Sequence, residues 1–110
     1  MPPRTKAIIA EAHDSGIIAS TREIFLHNYF EEEDPGIDYR ASTKFLTNLR
    51  ILEGQNHKPI IIHQHSTGGE WHAGMAIYDA IKGSPCSFIF ICHGICASMG
   101  SIIAQAPLGK

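Results

Sequence analysis

The chain has no cluster of lysine and arginine, no long apolar stretch and no even set of cysteines, and each absence removes a class of function. Its 110 residues carry 9 basic and 11 acidic side chains, a formal charge of −2. Nothing in that distribution could neutralise several phosphates together, so no nucleic acid is expected as a partner. No segment approaches the ~20 apolar residues of a transmembrane helix, and no membrane partner is expected. The apolar stretch after Met1-Pro2-Pro3-Arg4-Thr5-Lys6 ends at Glu11, too soon for a signal peptide. The three cysteines, Cys86, Cys92 and Cys96, do not make a disulfide framework. Reduced thiols in the cytoplasm are the expectation. Repeats and low-complexity segments are also missing.

What is present is one domain's worth of alternating elements. A 110-residue chain with 44% apolar content buries roughly two-thirds of its unfolded surface. Residues 1–14 read as a flexible arm. The runs Gly16-Ile17-Ile18-Ala19 and Glu23-Ile24-Phe25-Leu26-His27, split by Ser20-Thr21-Arg22, predict a hairpin or two successive strands. Glu31-Glu32-Glu33-Asp34-Pro35-Gly36 reads as a loop. Helical spacing of Phe45, Leu46, Leu49 and Leu52 predicts a helix from about Tyr39 to Glu53, stopped by Gly54. Pro59 to Gln64 predicts a buried parallel strand, and Glu70 to Ile81 a second helix ended by Gly83-Ser84-Pro85. Ser87 to Cys92 predicts another buried strand. A third helix is expected from near Ser98 to Pro107. Strands alternating with helices imply an α/β fold with a mostly parallel sheet.

Ser98 lies in Cys96-Ala97-Ser98-Met99-Gly100-Ser101, between a strand and a helix, where a serine nucleophile is usually presented. Gly68-Gly69 lies in a similar turn and offers backbone that can approach a substrate closely. A serine nucleophile needs a base to take its proton and fixed donors for the oxyanion that forms. The amides of Gly69 and Met99, each at a helix start, are free of helical partners and suit the second task. A serine at a helix start also serves as a cap, and spacing alone does not separate the two roles. His63, His65, His72 and His93 are the local candidates for a base, with His65 and His93 best placed; each also fits an ordinary polar position. His63, His65, His93 and Cys92 make a poor zinc set, because the adjacent Cys92 and His93 point to opposite faces of a strand. Neither a metal nor any other cofactor is expected.

Arg22-Glu23-Ile24-Phe25-Leu26, Ser66-Thr67-Gly68-Gly69, Ala73-Gly74-Met75-Ala76-Ile77-Tyr78-Asp79 and Ala97-Ser98-Met99-Gly100 keep one order and register. Over residues 22–106 they resemble ClpP, the proteolytic subunit of the ATP-dependent Clp protease. The resemblance implies the ββα-repeat fold shared with crotonases, here truncated, with residues 15–110 as its N-terminal half. It implies a serine endopeptidase with Ser98 as nucleophile, Gly69 and Met99 as oxyanion donors, and Gly68, Glu70 and Trp71 along the substrate edge. It also implies rings of ClpP-type subunits, an AAA+ unfoldase ATPase and unfolded polypeptide substrates. The family's Ser-Pro-Gly-Gly is Ser66-Thr67-Gly68-Gly69 here, and its asparagine before that serine is His65. Its catalytic histidine and aspartate lie beyond the position of residue 110, so a non-catalytic assembly subunit is the competing expectation.

Overall fold

Arg22 ties the first strand pair to the rest of the molecule. In this computed structural model, which describes residues 15–27, 36–66 and 68–107, Arg22 is 8% exposed and adopts a left-handed backbone with φ 57°. Its guanidinium donates to the carbonyls of Leu52 at 3.1 Å, Asn56 at 3.1 Å and Lys58 at 2.9 Å. Those oxygens belong to the end of the first helix and to the turn leading into the next strand, where helical partners run out. The expected arm at 1–14 and most of the acidic loop lie outside the described residues.

The elements run β1 (Ile17–Ile18), a 3-10 turn (Ala19–Thr21), β2 (Glu23–His27), α1 (Tyr39–Gln55), β3 (Ile60–Ser66), α2 (Trp71–Gly83), β4 (Phe88–Cys96) and α3 (Met99–Ile103). The described strands form one sheet in the order β1-β2-β3-β4, with β1 antiparallel to β2 and the remaining pairs parallel. This is the α/β architecture with a mostly parallel sheet that the alternation predicts.

Asp38 caps α1 by accepting from the Ala41 amide at 2.9 Å. Phe45, Leu49 and Leu52 form its buried stripe. The helix runs through the expected stop at Gly54, because its end is set by the extended Asn56 and by Arg22, not by the glycine. α2 extends past Ile81 to Gly83, and Glu70 is its cap, outside the helix. α3 is shorter than expected and passes into turns before Pro107.

The expectation of strands buried on both faces is corrected. Residues along β3 alternate between buried and half-buried, and Ile89 and Ile91 of β4 are 53% and 37% exposed. Ile24, Leu26, Ile60 and Ile62 share one core cluster with Phe45, Leu49, Leu52, Ile77 and Ile81. The opposite face carries Glu23, Phe25, Ile61, His63, His65, Ile89 and Ile91. A run such as Ile60-Ile61-Ile62 reads the same whether helices cover one face or both.

β4 also runs beyond Cys92. Cys92 pairs with Gln64 and Cys96 with Ser66, so His65 alone faces His93, Gly94 and Ile95. This bulge turns on Gly94, with φ 75°. Residues four apart on a regular strand would be ~13 Å from each other; here the Cys92 and Cys96 Cα atoms are 6.0 Å apart and the two are joined by a disulfide. The expectation of reduced thiols therefore holds only for the buried Cys86. The bulge brings together cysteines that a straight strand would keep apart.

Arg22→Ala is expected to lower the unfolding free energy by about 3 kcal/mol, since the buried Leu52 carbonyl and the part-buried carbonyls of Asn56 and Lys58 lose a charged donor together. Urea titration checks this, and a loss below about 0.5 kcal/mol would show that the guanidinium is not the tie.

Candidate active site

The turn that carries Ser98 is built from close backbone contact. Ser98 has φ 52° and ψ −124°, a conformation that non-glycine residues occupy only when their surroundings impose it. Its side chain makes no cap bond to α3 and is exposed. The helix-cap role left open by the sequence is therefore not the one this serine fills. Its carbonyl instead accepts from the Ser101 amide at 3.0 Å and the Ser101 hydroxyl at 2.6 Å. That closes the first turn of α3 and leaves Oγ outside it.

Gly68 supplies the opposing wall. A Cβ at this position would lie 2.7 Å from Ser98 Cβ and 3.1 Å from both Ser98 Oγ and the Met99 nitrogen. Gly68 also has φ 112°, so a side chain is excluded by conformation and by space alike. The Ser66 hydroxyl accepts from the Gly68 amide at 3.0 Å, and the Ala97 amide donates to the Ser66 carbonyl at 3.0 Å. One buried serine thus secures both halves of the site.

Gly69 forms an isolated parallel bridge with Ile37, whose amide donates to the Gly68 carbonyl at 3.0 Å and whose carbonyl accepts from Glu70 at 2.7 Å. In an extended backbone, successive N–H groups point to opposite sides. The Gly69 amide therefore points away from Ile37. Neither it nor the Met99 amide is engaged by another described group. Met99, 2% exposed, is seated with its Sδ where a Gly74 side chain would intrude, which anchors α3 against α2.

Glu70 spends its carboxylate on the helix start. It accepts from Ala73 N at 2.6 Å and His72 N at 3.0 Å. These backbone donors hold its pKa below the ordinary carboxylate range. Trp71 opens α2 at 55% exposure and is not core filling. The histidines considered as bases lie elsewhere. His63 hydrogen-bonds to Glu23 at 2.7 Å and to His93 at 2.8 Å on the outer sheet face. His65 lies beside Gly94, and His72 is in the first turn of α2. None of them bonds to Ser98 Oγ. Among the described residues no three His, Cys, Asp or Glu side chains converge as metal ligands, and no helix is long and apolar enough to cross a membrane.

The Clp protease family model matches residues 11–108. The chain belongs to the Clp protease family. It is 45% identical over 81 residues to "ATP-dependent Clp protease proteolytic subunit 2" of Prochlorococcus marinus strain MIT 9312, across 73% of this chain and 38% of that protein. It is 36% identical over 67 residues to the proteolytic subunit of Bdellovibrio bacteriovorus, across 60% of this chain and 32% of that one. Among solved structures it is similar to Listeria monocytogenes ClpP1. The N165D mutant superposes with a TM-score of 0.71 at 25% identity, covering 90% of this chain and 51% of that one; ClpP1 itself gives 0.70 at 27%, covering 80% and 48%. The chain spans about half the length of these structures and less of the curated relatives.

Within this Clp protease chain, sequence reasoning missed Ser66 as the tie between the glycine loop and the serine turn. It also missed Gln64, which is fully buried against Gly100 with neither amide atom partnered among the described residues. A polar residue in an apolar strand was the available signal for Gln64. Gly74 and Gly100, small where helix meets helix and strand, were the signal for close packing.

The carboxylates predict an acid response. Glu23 is also held below the ordinary range, chiefly by the Thr21 hydroxyl, which outweighs the opposing effect of burial with further help from His63. Groups whose pKa is lowered on folding contribute stability above their unfolded pKa and lose it as pH falls toward the folded one. Stability is therefore expected to fall below about pH 4, and Glu70→Gln, which keeps the acceptor but not the charge, is expected to flatten that fall. Chemical denaturation at pH 7 and pH 3 measures both; an unchanged slope in the variant would contradict the assignment.

Proposed function

We propose that this chain carries the nucleophile half of a ClpP-type serine endopeptidase, cleaving unfolded polypeptides within a ring of ClpP-type subunits in the cytoplasm, fed by an AAA+ unfoldase ATPase. The strained turn that aims an uncapped Ser98 Oγ past Gly68, with unengaged Gly69 and Met99 amides beside it, is the observation that carries the reading. An extended peptide would pair along the open side of Gly68, Gly69 and Glu70 by strand addition, with Trp71 at the end of that edge. Ser98 Oγ would attack the scissile carbonyl and pass its proton to an imidazole. The oxyanion would then accept from Gly69 and Met99, each donor contributing about 2.7–4 kcal/mol. Return of the proton to the leaving amine would free the first product, and water would release the acyl group by the same route.

The base and the acid that orients it are assigned to chain outside the described residues. The lack of a histidine bonded to Ser98 Oγ among the described residues favours one alternative, a non-catalytic assembly subunit that pairs with complete ones. A fluorophosphonate probe separates them. The enzyme reading expects the probe on Ser98 when the chain is mixed with a complete ClpP-type subunit, none on Ser98→Ala, and a loss of about 10⁶ in that variant's turnover. Co-assembly with no labelling, and no effect of Ser98→Ala, would establish the alternative.

A further inference from the structure

We propose that the Cys92–Cys96 disulfide is a redox-sensitive clamp that positions Ser98. This rests on the reading of Ser98 as the nucleophile. The disulfide spans the β4 bulge, and the bulge decides where the nucleophile falls. Up to Gln64–Cys92 the strands advance in step; beyond it, Ser66 meets Cys96 only because β4 holds two extra residues. Ser66 then fixes the Ala97 amide on one side and the Gly68 amide on the other. A change of register at Cys96 is therefore a change in the distance between Ser98 and the glycine loop, separated from it by one residue.

Besides the disulfide, the hydrogen bond of His93 to His63 at 2.8 Å on the outer face is a side-chain tie that the described residues give the bulge. His93 and Gly94 are exposed, and Gly94 is the residue with the most backbone freedom. The disulfide shortens a span that a regular strand would extend to ~13 Å to 6.0 Å, so it opposes relaxation of the bulge in the direction that would withdraw Ser98. Cys92 is exposed and Cys96 half-exposed, within reach of a thiol reagent, whereas Cys86 is buried and stands apart.

The chemistry balances with a dithiol reductant of the thioredoxin class. Its thiolate attacks the Cys92 sulfur, the S–S bond breaks, and Cys96 leaves as a thiolate that takes a proton. The second thiol of the reductant then attacks the mixed disulfide, releasing Cys92 as a thiol and the reductant as its own disulfide. Two electrons and two protons have passed to the clamp. A disulfide formed from exposed cysteines in a reducing compartment is transient by nature, so the clamp reports the compartment's thiol state to the nucleophile turn.

The test uses the chain together with a complete ClpP-type subunit. Alkylation without reductant, followed by mass spectrometry, should find the peptide containing Cys92 and Cys96 unmodified and 2 Da light. Dithiothreitol should raise amide exchange across residues 93–100 and slow fluorophosphonate labelling of Ser98 by about tenfold or more; reoxidation should restore both. The Cys92→Ser, Cys96→Ser double variant should behave as the reduced form and ignore dithiothreitol. Free thiols at both positions after air oxidation, or exchange and labelling unmoved by reduction, would overturn the clamp. Exchange that responds while Ser98 labels in neither state would uphold the clamp and reject Ser98 as the nucleophile.

Discussion

The site depends on an absence of atoms at residue 68. Only because Gly68 has no side chain can its backbone lie against Ser98 Cβ and the Met99 amide, and only there can two strand-to-helix turns share one small volume. Everything nearby serves that approach. Ser66 holds the loop and the last rung of β4, Ile37 occupies one side of Gly69, and Gly74 makes room for the Met99 side chain. The energy that keeps Ser98 in its unfavourable backbone conformation comes from this surrounding network, at a cost of roughly 1–3 kcal/mol.

A second consequence concerns the sheet's two faces. Helices cover the face lined by Ile24, Ile60 and Ile62, and the other face shows Ile89, Ile91 and the Glu23–His63–His93 chain. Of the histidines that invited attention as bases, His63 and His93 are thus committed to an outer surface and to each other. Ser98 sits just past the end of β4, where the strand leaves the sheet.

The sequence was most informative where structure is periodic. Phe45, Leu49 and Leu52 located α1, and the isoleucine run located β3, because each pattern is local and repeats. The glycine-loop and serine-turn motifs each sit in a strand-to-helix turn as expected, and Gly68 lies against Ser98 and Met99. What escaped was set by pairing between distant segments: the one-sided burial of β3 and β4, the bulge at Gly94, and the disulfide that the bulge permits. Gly54 misled for the same reason, since α1 ends where Arg22 collects its carbonyls, 30 residues away in sequence from Leu52. The capping of α2 by the Glu70 carboxylate was also not foreseen; the substrate-edge expectation concerned the backbone of this residue, which the cap leaves untouched.

The chemistry proposed for Ser98 requires the Gly69 and Met99 amides to face the position an oxyanion would occupy there. A crystal structure of the Ser98 phosphonate adduct, formed in a complex with a complete ClpP-type subunit, measures this directly. One phosphonyl oxygen is expected about 2.7–3.1 Å from both amide nitrogens. A phosphonyl oxygen turned to solvent, with either amide bonded elsewhere, would contradict it.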